Sequence, residues 1–231
     1  MPRHALLPLL CTAVSLLCSY QAAKLVQALV GSFPPRDLTT GFDLATAFVP
    51  WWSWVYLGSY IFWIYVYVVP ARDSEKLACE LAAADGVGKL MCLLFFLLLP
   101  TTNVRPELEG TGLSLFLMRL IYSFDTPTNL FPSIHCFIAW LGMRMIFRCE
   151  ALRHKSLHCC VAVLGTVLVF LSTLYTKQHV AVDIPGAIAV AEIGILLARC
   201  TPLPSWLKGL SRAFLNSSLG QWLRPPVEES V

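Results

Sequence analysis

Charge is what this chain has least of. Only 13% of its 231 residues are Asp, Glu, Lys or Arg, about half the share of an ordinary soluble domain, so a soluble globular fold is a poor fit. The formal net charge is only +3. The sequence carries no block of basic residues and no nucleic-acid-binding motif, which argues against DNA or RNA as a partner. Its nine cysteines contain no CxxC pair and read as free thiols packed like small hydrophobes. No metal-ligand cluster, internal repeat or second globular domain is visible, and neither a metal nor a cofactor is expected.

Apolar residues fill the space that charge leaves. They make up 57% of the chain, and the mean hydropathy is +0.67. A hydrocarbon core of ~30 Å needs about 20 apolar residues in a helix. Six segments qualify: Leu6–Ala23, Trp51–Val69, Gly88–Thr102, Phe131–Phe147, Leu157–Tyr175 and His179–Ala198. The expected fold is all-α, a polytopic membrane helical bundle of six transmembrane helices over residues 1–200. Residues 201–231 are expected to form a cytosolic interfacial tail. The third and fourth segments are slightly short, which mismatch or polar helix ends can absorb. Arg3 before the first run would also suit a signal peptide. However, Tyr20-Gln21-Ala22-Ala23-Lys24 is a poor cleavage site, and apolar character resumes at Leu25.

Basic residues suggest an orientation. If the spans alternate, Arg3, Arg72, Lys76, Arg148, Arg153, Lys155, Arg199, Lys208 and Arg212 share one side. By the positive-inside rule that side is the cytosol, with both termini. The opposite face then receives the start of the fourth span, the end of the fifth and the start of the sixth. Those three places carry Pro132, Ser133 and His135, then Ser172, then His179 and Asp183. The third span delivers Arg105-Pro106 to the same face. Four polar elements thus meet at one extracytoplasmic surface, although nothing in the span assignment requires it. Ionisable residues at such places are costly and point to function.

The residue types fit phosphate chemistry. His179 and Asp183, four apart at a helix start, would share one face. The carboxylate can hold one imidazole nitrogen and leave the other free to attack. Ser133 opens a helix whose first turn offers free N–H groups to an anion, and His135 in that turn could protonate a leaving alkoxide. Arg105 and Lys177 add positive charge for phosphate oxygens.

The linked pattern Pro132-Ser133-x-His135, then Ser172-x6-His179-x3-Asp183, with Arg105-Pro106 upstream, resembles the type 2 phosphatidic acid phosphatase superfamily, the lipid phosphate phosphatases. The wording Asn129-Leu-Phe-Pro-Ser-Ile-His135 with Tyr175-Thr-Lys-Gln-His179 is most similar to its inositol-phosphoceramide-synthase-like branch. The resemblance covers roughly residues 88–200. It implies His179 as nucleophile through a phosphohistidine, Asp183 as its orienting group and His135 as acid. It also implies Ser133, Ser172 and Arg105 on phosphate oxygens, no metal, and a lipid phosphate substrate within the membrane.

Two positions depart from the family pattern. Thr173 stands where an arginine is usual, and Leu98 where a lysine is usual. Lys89 is expected to lie too far off to compensate. Sixteen residues before Arg105, it would be roughly 24 Å away along a helix, at the cytosolic end. Lys177 is the candidate replacement. The leading expectation is hydrolysis of a lipid phosphomonoester or pyrophosphate at the outer leaflet. The alternatives are a phosphotransferase that uses a lipid hydroxyl in place of water and a non-catalytic lipid-binding protein.

Further segments carry expectations of their own. Residues 112–122 suit a helix lying at the outer interface, followed by a turn at Asp125–Asn129, where Asn129 could cap the fourth span. Arg144 and Glu192 fall at similar depth and are expected to pair inside the bundle. The tail sets Trp206, Leu207, Leu210, Phe214 and Trp222 among Lys208, Arg212 and Arg224, the composition of an interfacial helix.

Overall fold

The computed structural model describes residues 2–217. It is almost entirely helical. A single turn of 3-10 helix at Arg3–Ala5 leads into α1 (Leu6–Val30). After β1 (Arg36–Asp37), the short helix α2 (Gly41–Ala45) and a second 3-10 turn come α3 (Ser53–Asp73) and α4 (Glu75–Leu98). β2 (Thr101–Thr102) pairs in parallel with β1. Then follow α5 (Leu113–Phe124), α6 (Ile134–Phe147), α7 (Lys155–Tyr175), α8 (Asp183–Cys200) and α9 (Leu203–Asn216).

α1, α3, α4 and α7 are each long and apolar enough to cross a membrane. α8 and α9, bent by 73° at their junction, make a fifth if counted as one span. Six spans therefore exceed what helix length and composition establish. The shortfall lies at α8, which qualifies only together with α9, and at α6, whose 14 residues rise only about 21 Å. Most of the α6 residues are buried against α3, α4, α7 and α8. Wrapped by neighbours, α6 need not match the thickness of lipid.

The third span differs most from expectation. α4 starts at Glu75 rather than Gly88. Glu80 and Asp85 lie before the expected start, where charge is costly in lipid, yet both sit inside the helix and are buried, as is Lys89. Ser74 caps α4 by accepting from the Leu77 N–H, and the small residues Ala82, Ala83 and Ala84 let neighbours close in. A Cβ on Gly194 of α8 would stand 2.7 Å from the Ala84 carbonyl oxygen, so α4 and α8 touch backbone to backbone there. Lys89 is therefore not at a cytosolic helix end. Its ammonium lies 2.9 Å from Asp85 and also donates to the Thr12 carbonyl and to Ser15 of α1.

Smaller revisions follow the same physics. α8 begins at Asp183, so His179 lies in the turn before it rather than on the helix. Ser133, not Asn129, caps α6 by accepting from the Cys136 N–H. Asn129 instead exchanges two amide hydrogen bonds with Gln27 of α1. Arg144 and Glu192 do pair, at 3.0 Å, but on a half-exposed flank of the bundle where Trp140 also donates to Glu192. α5 forms as the short apolar helix expected. α9 supplies the tail helix, whereas Trp222 and Arg224 lie outside the described residues.

Candidate functional site

The loops at one end of the bundle are tied to each other. The Thr101 hydroxyl accepts the N–H groups of Leu130 and Phe131, which joins the chain after α4 to the approach to α6. Ser133 N–H donates to the Asp183 carbonyl at 3.4 Å, so the starts of α6 and α8 abut. The Gln178 and His179 N–H groups fold back onto the Thr173 carbonyl at the end of α7. Lys177 adopts a left-handed backbone, φ 54°, to turn that corner. Asn103 donates to the Lys177 carbonyl. These bonds bring His135, His179, Asp183 and Arg105 to one end.

His179 Nδ1 lies 3.0 Å from Asp183 Oδ2. The same oxygen accepts the Val180 N–H at 3.1 Å, which fixes the carboxylate. Asp183 is fully buried and His179 nearly so. With Nδ1 engaged, Nε2 is the nitrogen left for a ligand. The His135 ring lies 5.9 Å from the His179 ring. It stacks on Tyr56 at 4.5 Å and meets Trp63 at 4.7 Å, both on α3. These aromatics hold the imidazole in one orientation.

Arg105 is half-buried over the Tyr122 ring of α5. It donates to the Asp125 carbonyl and, at 2.7 Å, to Gln178 Oε1. Burial pushes its pKa down, while the nearby Asp125 carboxylate pushes it back up. Ser172 is buried and spends its hydroxyl on the Val169 carbonyl. Thr173 does the same with the Phe170 carbonyl. Lys177 borders the site, but its ammonium ends on the carbonyls of Asp43 and Thr46, 2.6 and 2.5 Å away. Its pKa is lowered by burial and raised again by Asp43. Among the described residues no cluster of three or more His, Cys, Asp or Glu is placed to hold a metal ion.

Two cavities flank His179, and among the described residues it is their only shared wall. The first, about 270 Å³, runs between α1 (Leu16, Tyr20) and α3 (Tyr60, Trp63) down to His135 and His179. The second, about 280 Å³, is lined by Asp43, Asn103, Arg105 and Lys177.

Buried polar atoms normally find partners. Seven in the described residues do not, and six of these belong to residues in or beside this site: Trp63 Nε1, Asn103 Oδ1, Arg105 Nε, His135 Nε2, Gln178 Nε2 and Asp183 Oδ1. Gln178, Asn103, Asp43 and the α3 aromatics were not visible as site residues in the sequence. Gln178 had one signal, its place inside the polar run before His179. The others come from loops or from a helix whose inward face gives no periodic cue. Compared with known proteins, the chain matches no family model, no curated protein and no solved structure.

Proposed function

We propose that this chain is a multi-pass membrane enzyme that hydrolyses a lipid phosphomonoester or pyrophosphate through a phosphohistidine. The observation carrying this reading is the cluster of unpartnered polar atoms around a carboxylate-held histidine. Four of them, Trp63 Nε1, Arg105 Nε, Gln178 Nε2 and His135 Nε2, can donate to phosphate oxygens, which are strong acceptors of charged hydrogen bonds. The cavity between α1 and α3 gives an apolar chain a path to the same place.

The proposed steps use these groups in turn. A phosphate dianion beside His135 favours its imidazolium form. His179 Nε2 attacks phosphorus, an N–P bond forms, and the ester P–O bond breaks. The departing alkoxide takes a proton from His135. Asp183 stabilises the positive charge that develops on His179. Water then attacks phosphorus and gives its proton to His135, and the N–P bond breaks to release phosphate. Arg105, Gln178 and the free N–H groups at the start of α6 stabilise the transferring group. In this reading α6 and α8 complete a six-crossing bundle. The site faces the extracytoplasmic side and both termini are cytosolic.

A second reading, phosphoryl transfer to an alcohol, is supported by the second cavity. Asn103 Oδ1 is a buried acceptor without a donor, and a hydroxyl would supply one. The detergent-solubilised enzyme, given a panel of lipid phosphates with and without a lipid alcohol, tests both. Phosphate release that His179→Ala abolishes supports hydrolysis. A new phosphorylated product seen only with the alcohol supports transfer. Lipid binding with neither product overturns both.

A further inference from the structure

A second charged cavity lies at the other end of the bundle from His179. It is a half-open pocket of about 480 Å³ bordered by the first turns of α4, the C-terminal ends of α6 and α8 and the start of α9. Four cations line it, Lys76, Arg148, Arg199 and Lys208, against one carboxylate, Glu80. Arg148 is bonded to Glu80, and Lys208 lies 3.1 Å from Glu75. Lys76 reaches Glu80 only at 4.0 Å, and Arg199 has no ion pair among the described residues. Glu75 is shared with Arg212, so at least two positive charges, those of Lys76 and Arg199, are left over. Ser205 adds the first turn of α9 to the same wall, where helix N–H groups lack internal partners.

The surroundings indicate where a neutralising anion would come from. α9 turns 73° away from α8, and its Trp206 and Leu210, one helical turn apart, are 64% and 60% exposed. The cavity borders the first turns of α4, which is long and apolar enough to cross a membrane, so it sits at the level of lipid head groups, where exposed Trp and Leu are well accommodated. Basic pockets between helices at that level take phosphorylated head groups. We propose that this cavity binds the phosphodiester of an anionic phospholipid in the leaflet opposite the candidate active site. The site is independent of the proposed activity. Phosphodiester charge meets Arg199 and Lys76, while the existing pairs of Arg148 and Lys208 stay in place. Inorganic phosphate shares the chemistry but lacks the acyl chains that would hold it in the bilayer.

Thermal unfolding of the full chain in detergent, titrated with short-chain phosphatidylglycerol, phosphatidylcholine of equal chain length or inorganic phosphate, tests this. Phosphatidylglycerol should raise Tm saturably, and the other two should not. Arg199→Gln and Lys76→Gln should each weaken the apparent affinity about fivefold, and Arg199→Lys should restore most of it. Both positions are exposed and lie outside the strong ion pairs, so the fold should survive. A phosphatidylglycerol shift that persists in the double variant overturns the site. An equal shift with phosphatidylcholine overturns charge recognition. A saturable phosphate effect that Arg199→Gln removes overturns the lipid assignment in favour of a free anion.

Discussion

Asp183 Oδ2 takes two hydrogen bonds, from the His179 ring and from the Val180 backbone, so its direction is fixed. Asp183→Asn keeps the shape but removes the charge and can reverse the tautomer of His179. We expect kcat to fall by about 10³ to 10⁴ with little change in KM, read from steady-state phosphate release. Arg105 is shared between Asp125 and Gln178, and a lysine cannot hold both in one plane. Arg105→Lys should lower kcat/KM about tenfold or more, and an unchanged value would exclude the guanidinium from phosphate contact. Lys177 presents a different case. Its ammonium anchors α2 to the turn that carries His179, so Lys177→Ala should reduce activity and thermal stability together. Activity lost at full stability would point instead to direct contact with phosphate.

Among the elements, α4 separates what the sequence made legible from what it hid. The motif residues were legible because short polar patterns interrupt apolar runs, and those patterns fixed His135, His179, Asp183 and Arg105 at one end. The true start of α4 was not, because a charged stretch reads as a membrane boundary until its partners are known. Asp85 is neutralised by Lys89 and also accepts from Tyr67 and Ser15, on two other helices. The Asp85–Lys89 spacing of four is legible on a helix, but no spacing rule links Asp85 to Tyr67 or Ser15. Lys89→Met would strand a buried carboxylate and should cost about 3–5 kcal/mol. The double variant Asp85→Asn with Lys89→Met should recover much of that loss in a Tm measurement, and additive losses would deny the pairing. Gly194 makes a companion test. A methyl there meets the Ala84 carbonyl, so Gly194→Ala should destabilise by about 1–3 kcal/mol.

The whole molecule is a bundle with the candidate site at one end and excess positive charge at the other. Reporters fused to both termini should read cytosolic, and labels in residues 31–35 should react only from the extracytoplasmic side, because basic residues favour the cytosol. The opposite labelling would invert the proposed topology. The central claim is that His179 carries the phosphoryl group between lipid and water. The most direct measurement is mass spectrometry of the enzyme quenched under alkaline conditions during turnover of a lipid phosphate. The account predicts one added phosphoryl group on the His179 peptide, accumulating when His135 is replaced by Ala with an activated leaving group, and absent in His179→Gln. Phosphate release with no label on His179, or a label that persists in His179→Gln, would contradict it.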